Sequence, residues 1–496
     1  MRRPMPGLSE GSHVFRWKRS ELHIAPEGVA WTEERLFTCE ATVHGLLDYA
    51  SVTGVAAIPK TRRKSDLQIA LADEAPGWLI PNVPTTEAEW AADLIRSQVA
   101  LQERLKQPAF QRAISFNEIT AVADSILTTG QRQVVDLVDL VLLQGIFHHA
   151  SDVHFEPFKE VVRIRFRIDG ALLDILELPA ALHPRIVTRL KVVSKLTVFR
   201  RDLPQEGRIV AETDGRSVDL RVAAIPTLHG EKVSVRIFDP SLGMLGINEL
   251  GMSDELREQF LYAVSQPQGT ILMTGPSNSG KTTTLYAALL YLHETKRNLN
   301  NIVTVEDPVE YDLKVVHQTQ TNPAIGLTFA QCLRTILRQD PEVIMIGEIR
   351  DAETAEIAIR SGLTGHLVLS TVHTRSAAGV FARLMEMGVE PYLVASSVTG
   401  VLAERLVRKV CPHCRSTAGC QRCRFTGYSG RTGIFQWLPV DDEVRELILR
   451  RATTQETETV MRSAGIRTLR EDGRRKVDEE ITTVEELQRV GAMDEG

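Results

Sequence analysis

Hydrophobic and polar residues alternate most regularly in the middle of the chain. At residues 162–168 every second residue is apolar and the residues between them are arginines, which is the period of a strand with one buried face. The following Asp169-Gly170 pair is typical of a hairpin turn. Further strands are predicted at 217–225 and 232–238, with a helix at 183–198 before them. We therefore predict an α+β domain in this region.

The pattern changes after about residue 250. Short, continuously apolar runs alternate with helical segments, and these runs lie at 270–274, 302–305, 343–346 and 367–371. Parallel strands that are buried on both faces have this appearance, because helices cover each face of the sheet. We predict an α/β domain with a mostly parallel sheet, followed by about fifty charged residues in helices.

Length and composition limit the class of protein. A chain of 496 residues is too long for one core, and we predict domains at 1–115, 116–250 and 251–496. With 43% hydrophobic and 25% charged residues the composition is that of a globular protein, and a net charge of -6 provides no basic field for nucleic acid. The basic start of the chain lacks a following apolar stretch, and no run reaches the roughly 18 residues of a membrane span. We expect a cytoplasmic protein with at most peripheral membrane contact.

The most specific motif is a phosphate-binding loop. Residues 275–282 read G-P-S-N-S-G-K-T between a predicted strand and a predicted helix. The glycines let backbone amides point at phosphate oxygens, and the helix N-terminus adds its partial positive charge. Lys281 is predicted to bind the β- and γ-phosphates, and Thr282 to bind Mg²⁺. The predicted nucleotide-binding residues are Gly275, Pro276, Ser277, Asn278, Ser279, Gly280, Lys281, Thr282 and Thr283.

Acidic residues and histidines follow or flank neighbouring strands. Glu306 and Glu348 each come directly after a predicted strand, at the edge where parallel sheets bind ligands. A glutamate there can deprotonate the water that attacks the γ-phosphate. The sequence does not distinguish whether Glu306 or Glu348 does so. His366 and His373 bracket the next strand, and each could either sense the γ-phosphate or serve as a structural histidine.

Four of the six cysteines are clustered. Cys411 and Cys414 form one C-x-x-C pair, and Cys420 and Cys423 form another five residues later. Two such pairs predict a closed tetrahedral zinc site with a structural role, within an element at 405–435. Disulfides are the alternative. The surrounding arginines and lysines form either a solvated face or a surface for acidic loops or anionic lipid headgroups.

Four motifs together resemble a known family. GPSNSGKTTT, TVEDPVEY, RQDPEVIMIGEIRD and SGLTGHLVLSTVHT are similar, in order and spacing, to the signature boxes of the type II secretion and type IV pilus assembly ATPases. The resemblance covers about 130–440 and implies a RecA-like ATPase domain preceded by a PAS-like α+β domain and a separate N-terminal domain. Arg208 and Arg221 match arginines that this family brings onto the phosphates from the middle domain. The alternative for both is an exposed strand arginine.

The resemblance also implies a function and partners. It implies a cytoplasmic hexamer that uses ATP, Mg²⁺ and structural Zn²⁺ and couples ATP hydrolysis to the assembly of pilin or pseudopilin fibres, or to protein secretion. The expected partners are further copies of the chain and a polytopic inner-membrane platform protein. Residues 1–115 do not visibly match the family's docking domain, which leaves their membrane-anchored partner open.

The competing hypothesis is a RecA-like nucleic-acid motor. Such a motor needs a basic channel or stacking aromatic side chains. A net charge of -6 and an aromatic content of 5% argue against it, so no stable nucleic-acid partner is expected.

Overall fold

The computed structural model divides the chain into two compact units. It describes residues 13–17, 20–25, 28–34, 41–47, 52–61, 64–71, 78–86, 88–89, 91–92, 95, 108–129, 133–213, 216–239, 245–296 and 301–492. One unit holds the residues up to Phe147 together with the short stretch Thr213–Arg216, and the other holds the rest. The predicted domain boundaries at 115 and 250 stay predictions.

The first unit contains two antiparallel sheets and helical segments, of which two α-helices lie entirely within the described residues. Its strands are β1 (His13–Trp17), β2 (Ser20–Ala25), β3 (Gly28–Glu34), β4 (Ala41–Leu47), β5 (Val52–Thr61), β6 (Lys64–Leu71) and β7 (Trp78–Pro84), and its helices are α1 (Phe116–Thr129) and α2 (Gln133–Phe147). Strands β1 to β4 form one sheet in chain order, and β5 to β7 form the other. The buried Gln144 on α2 donates hydrogen bonds to the carbonyls of Ala109 and Arg112, at 2.6 and 2.8 Å, which fixes the segment before α1.

The second unit begins with a six-stranded sheet. Its elements are β8 (Asp152–Pro157), β9 (Val161–Ile168), β10 (Ala171–Pro179), α3 (His183–Val193), β11 (Gln205–Thr213), β12 (Arg216–Thr227) and β13 (Gly230–Phe238). The strand order is β10-β9-β8-β13-β12-β11. Every second side chain of β9 is buried, and Asp169 and Gly170 both have a positive φ in the turn to β10, as the sequence predicts.

Helix α3 is shorter than predicted. It ends at Val193 instead of continuing to residue 198. The Ser194 hydroxyl donates to the carbonyl of Leu190 at 2.6 Å, and the next residue, Lys195, has a left-handed φ of 58°. A side chain that binds the last turn, followed by left-handed backbone, ends a helix whatever the apolar periodicity beyond it.

A seven-stranded sheet with helices on both faces completes the second unit. Its strands are β14 (Gly269–Thr274), β15 (Ile302–Glu306), β16 (His317–Gln320), β17 (Val343–Ile346), β18 (Leu367–Val372), β19 (Val398–Val410) and β20 (Tyr428–Pro439). Its helices are α4 (Asp254–Val264), α5 (Lys281–Thr295), α6 (Phe329–Ile336), α7 (Ala352–Leu363), α8 (Gly379–Glu386), α9 (Pro391–Ser397), α10 (Asp442–Leu449), α11 (Thr454–Ser463), α12 (Leu469–Asp478) and α13 (Val484–Arg489).

Six of the seven strands are parallel. The order is β16-β15-β17-β18-β14-β19-β20, and only β20 runs antiparallel to its neighbour. Leu272 packs into the hydrophobic cluster on one face, while Ile271 and Met273 pack into the cluster on the other. Burial on both faces explains the continuous apolar runs and confirms the predicted parallel sheet. The carboxyl ends of β14, β15, β17 and β18 consequently meet at one edge.

Every helix within the described residues is too short or too polar to cross a lipid bilayer.

Candidate functional site

The phosphate loop, residues 275–282, connects β14 to α5 at this edge. Gly275 and Gly280 have φ values of 153° and 108°, and Gly280 directly precedes α5, so the loop backbone turns as a phosphate-binding loop requires. The buried Lys281 ammonium donates to the carbonyls of Gly275 and Pro276, at 3.0 and 2.8 Å. Burial lowers the pKa of Lys281. The lysine thus lies across the loop where phosphates would bind, and Thr282 follows it on α5.

Glu348 and His373 are adjacent to the loop. Glu348 lies just beyond β17 with a side chain that is 14% exposed, and its Oε1 is 2.5 Å from Arg350 Nη2. His373 Nε2 is 3.5 Å from Glu348 Oε2. His373 Nδ1 is 3.2 Å from the carbonyl oxygen of Gly275, which can only accept, so Nδ1 donates. The histidine therefore connects the carboxyl group to the loop.

Glu306 has a different environment. Its side chain is buried at the end of β15 and accepts hydrogen bonds from three side chains. Thr304 Oγ1 and Gln318 Nε2 donate to Oε1 at 2.5 and 3.0 Å, and the Tyr286 hydroxyl donates to Oε2. Burial and the nearby Glu306 raise the pKa of Tyr286, so the tyrosine stays a donor. Both carboxyl oxygens of Glu306 thus accept hydrogen bonds from other side chains.

The two predicted arginines lie on neighbouring strands of the six-stranded sheet. Arg208, with a side chain that is 68% exposed, pairs with Asp219 at 2.5 Å. The Arg221 guanidinium lies 4.5 Å from the centre of the Phe238 ring. The charges of Arg236 and of Arg221 act on Glu310, which lies just beyond β15 at the edge of the seven-stranded sheet that carries the phosphate loop. Glu310 and Arg236 were not among the site residues predicted from the sequence.

The structure separates the two predicted histidines. His366 precedes β18, and its backbone carbonyl accepts from the amide of Gly269 at the first residue of β14. Its Nδ1 is 3.1 Å from the Ser361 carbonyl oxygen. It therefore lies at the amino end of the sheet, about 15–20 Å along β14 from the phosphate loop. Of the two γ-phosphate sensors predicted from sequence, the structure brings only His373 to the loop of this chain.

The four clustered cysteines converge. They lie in the cysteine loop, residues 411–427 between β19 and β20, and their sulfur atoms are all within 4.8 Å of one another. Cys423 Sγ is 3.8 Å from the sulfurs of both Cys414 and Cys420. A tetrahedral site with Zn–S bonds of about 2.3 Å requires sulfurs about 3.8 Å apart, so the arrangement fits a metal. Burial opposes ionisation of Cys423, but backbone and thiol hydrogen bonds outweigh it and lower the pKa to about 7.

The cysteine loop and the start of β20 contact residues that flank β8 and β9. Strand β19 continues to Val410, well past Ala403, which pairs with the last residue of β14. The Arg424 guanidinium donates to Nδ1 and the carbonyl of His148, at 3.0 and 3.3 Å. The backbone amide of Gly430 donates to the Asp169 carboxylate at 2.9 Å. The start of β20 thus binds the turn between β9 and β10.

Sequence reasoning missed one buried group at the site. Glu404 lies on β19 behind the phosphate loop with 2% of its surface exposed, and it accepts a hydrogen bond from Thr284 at 3.0 Å. The available signal was the charged pair Glu404-Arg405 within the otherwise apolar run 401–407. A charge at that place in a buried strand is costly unless it has a partner or a purpose.

Comparisons with known proteins agree with this geometry. Residues 128–489 match the family described as type II/IV secretion system protein. The type II secretion system protein HxcR of Pseudomonas aeruginosa is 47% identical over 381 residues, which are 75% of this chain and 81% of the relative. The type II secretion system ATPase E of Vibrio cholerae is 43% identical over 397 residues, 75% of this chain and 78% of the relative.

A solved structure has the same fold. The X-ray structure of the Legionella pneumophila ATPase DotB matches with a TM-score of 0.56 and 22% identity, covering 71% of this chain and 95% of DotB. The family match over most of the chain agrees with the sheet and its phosphate loop. The chain belongs to the type II/IV secretion system protein family, and within that family it is an ATPase.

Proposed function

We propose that the protein is a cytoplasmic, hexameric motor that couples ATP hydrolysis to the assembly of pilin or pseudopilin fibres, or to protein secretion, through a polytopic inner-membrane platform protein. The observation that carries this proposal is the meeting of Lys281, Glu348 and His373 at one sheet edge in a member of a secretion family. Residues 1–115 are proposed to dock a membrane-anchored partner, and the domain boundaries at 115 and 250 are part of the same proposal.

The nucleotide site hydrolyses ATP by in-line attack of water. Lys281 leaves the loop carbonyls for the β- and γ-phosphates, while the loop amides and the N-terminus of α5 hold the remaining charge. Mg²⁺ held by Thr282 would neutralise phosphate charge when it is bound. Glu348 takes a proton from the attacking water as the water oxygen bonds to the γ-phosphorus and the bond to the β-phosphate oxygen breaks.

The two strand-end glutamates have different tasks. Glu348 is partly open and touches His373, which also contacts the loop, so a change at the γ-phosphate reaches both groups. Glu306 is buried, with both oxygens occupied by donors, and it positions the end of β15. We assign the principal base to Glu348 and a supporting position to Glu306.

The middle-domain arginines couple hydrolysis to movement. Arg208 is exposed beyond its pairing with Asp219, and Arg221 lies over Phe238 within reach of the field of Glu310. Closure of the six-stranded sheet over the nucleotide would bring them to the transferring phosphoryl group. An arginine that arrives only on closure stabilises the transition state more than the ground state. His366, remote from the loop of its own chain, has no place in this mechanism.

The cysteine loop is proposed to bind one structural Zn²⁺ through Cys411, Cys414, Cys420 and Cys423. Four thiolates leave no open coordination position, so the ion would hold the fold of the loop and take no part in hydrolysis.

The proposal is tested with the full-length chain. Wild-type protein is expected to hydrolyse ATP, to form six-subunit particles by native mass spectrometry with nucleotide, and to co-purify with a polytopic membrane protein from its host. Lys281→Ala is expected to abolish turnover, because the loop amides alone cannot neutralise the phosphates. Near-normal hydrolysis by a folded Lys281→Ala variant would refute the site. Salt-sensitive DNA binding that stimulates hydrolysis would favour the nucleic-acid motor instead.

A further inference from the structure

A carboxyl group lies buried against the rear of the phosphate loop. Glu404 Oε2 accepts a hydrogen bond from Thr284 Oγ1 at 3.0 Å, in the first turn of α5. On the other side, a Cβ atom added to Gly280 would lie only 2.1 Å from Glu404 Oε1, so the carboxyl group touches the loop backbone itself. The backbone oxygen of Glu404 is also close to Gly275, at 2.4 Å from the position that a Cβ atom of residue 275 would occupy. Glu404 thus supports both ends of the loop.

Lys281 is the charged group whose field favours the ionised form of Glu404. Burial raises the pKa of Glu404 to about 8, while the hydrogen bond from Thr284 and the positive charge of Lys281 oppose the rise. Of the charged groups that shift the pKa of Lys281, Glu404 has the largest effect, and it raises that pKa. The buried cation that partly offsets the effect of burial on Glu404 is therefore the same group that is proposed to bind phosphate.

Other charged groups have a weaker electrostatic effect on Glu404 than Lys281 has. Arg405 follows it on β19, and Glu348 and Glu310 act on Lys281 from the ends of β17 and β15. Strand β14, which runs beside β19, has no titratable side chain, and the residue that pairs with Glu404 on β20 is Phe435. Lys281 is thus the group whose movement changes the field at Glu404.

We propose that Glu404 is a positioning residue of the nucleotide site that supports the phosphate loop through Thr284 and takes up a proton when phosphates occupy the loop. The inference rests on the proposed function. Nucleotide phosphates place several negative charges beside the carboxyl group and draw Lys281 toward themselves. A nearby like charge disfavours an ionised carboxyl group, so the proton-bound form becomes the stable one. The neutral group still accepts from Thr284, and the loop keeps its support.

Calorimetry of nucleotide binding measures this proton directly. Wild-type protein is titrated with ADP in buffers of different ionisation enthalpy, and the slope of the observed enthalpy gives the protons taken up. With a pKa of about 8 before binding and a rise of at least about one unit on binding, uptake is about 0.4 proton per site near pH 8. Near pH 6.5 the group is already protonated, and uptake falls to almost none. Affinity should weaken as the pH rises through 8.

Two variants separate this effect from a merely structural one. Glu404→Gln keeps the shape and the acceptor for Thr284 but cannot bind a proton, so the uptake near pH 8 should disappear while ADP affinity changes by only a few-fold. Lys281 is unchanged in this variant, so any proton that the lysine takes up remains and is subtracted. Thr284→Val removes the hydrogen bond that favours the ionised carboxyl group, so the uptake should move to higher pH.

The outcomes are distinct. Wild-type binding without proton uptake near pH 8, or equal uptake by wild type and Glu404→Gln, would overturn the inference and leave the proposed function intact. A folded wild type that does not bind ADP or ATP would refute the proposed function itself. Should Glu404→Gln fail to fold, the wild-type buffer series together with Thr284→Val decides.

Discussion

Replacing Glu348 by glutamine removes the proposed base and little else. Glutamine has the same size and keeps a carbonyl oxygen for Arg350, whose guanidinium lies 2.5 Å from the native carboxylate. The amide cannot take a proton from water, and general-base catalysis contributes about 10²–10⁴-fold to a rate. We therefore expect the hydrolysis rate to fall by about two to four orders of magnitude, equivalent to about 3–5 kcal/mol of barrier. ATP affinity should change by only a few-fold.

The assay separates binding from chemistry. Single-turnover hydrolysis of ATP gives the rate of the chemical step, and equilibrium binding of a fluorescent ATP analogue gives the affinity. The variant should accumulate as its ATP complex, because it binds but does not hydrolyse.

Glu306→Gln is the matched control. The native carboxylate accepts from Thr304, Gln318 and Tyr286, so an amide leaves one buried donor without an acceptor, at a cost of about 1–3 kcal/mol. We expect a lower melting temperature and a smaller loss of single-turnover rate than for Glu348→Gln. The reverse result, with rapid hydrolysis by Glu348→Gln and none by folded Glu306→Gln, would refute the assignment and transfer the base to Glu306.

Three further changes test other parts of the molecule. Arg208→Ala and Arg221→Ala should each reduce the turnover number on the order of 100-fold or more with little change in ATP affinity, and equal losses in both quantities would indicate ground-state binding instead. Elemental analysis should find one zinc ion per chain, which Cys411→Ser with Cys414→Ser removes while ATP binding persists; a metal-free wild type with four free thiols would contradict the site. Burial opposes ionisation of Glu486, but hydrogen bonds from two arginines lower its pKa to about 2. Its ionised form should therefore contribute about 3 kcal/mol of stability above pH 4.5, lost as the pH falls toward 2. Urea unfolding of Glu486→Gln should show that loss near neutral pH and a flatter pH profile, and an unchanged free energy of unfolding would contradict the reasoning.

The phosphate loop and the parallel sheet could be predicted from the sequence because their signals are local. Strand, loop and helix are contiguous from β14 to α5, and the glycines at 275 and 280 adopt the positive φ that the motif requires. A strand that is buried on both faces has a continuous apolar run, so its burial can be predicted from its own sequence. The two C-x-x-C pairs lie within one loop, so their convergence also needed no long-range information.

Other expectations depended on contacts that a linear pattern does not contain. The apolar periodicity predicts a helix to residue 198. The helix ends at Val193 because of the Ser194 hydrogen bond and the left-handed backbone of Lys195, which the periodicity does not contain. His366 and His373 look equivalent in sequence because both flank β18, yet opposite ends of a strand lie at opposite edges of the sheet. Only His373 therefore reaches the phosphate loop.

Tertiary structure alone decided which segments that are distant in the sequence contact each other. The residues of the Glu404–Thr284 hydrogen bond are 120 positions apart in the chain, and those of the Arg424–His148 contact are 276 apart. The sequence could show that Glu404 and Arg405 interrupt an apolar strand, but not that the phosphate loop lies against Glu404. Glu404 lies beside the loop because β19 pairs with β14 in a sheet that is buried on both faces. Local residues thus determine the elements and the loop chemistry, while long-range packing determines which buried charges face each other.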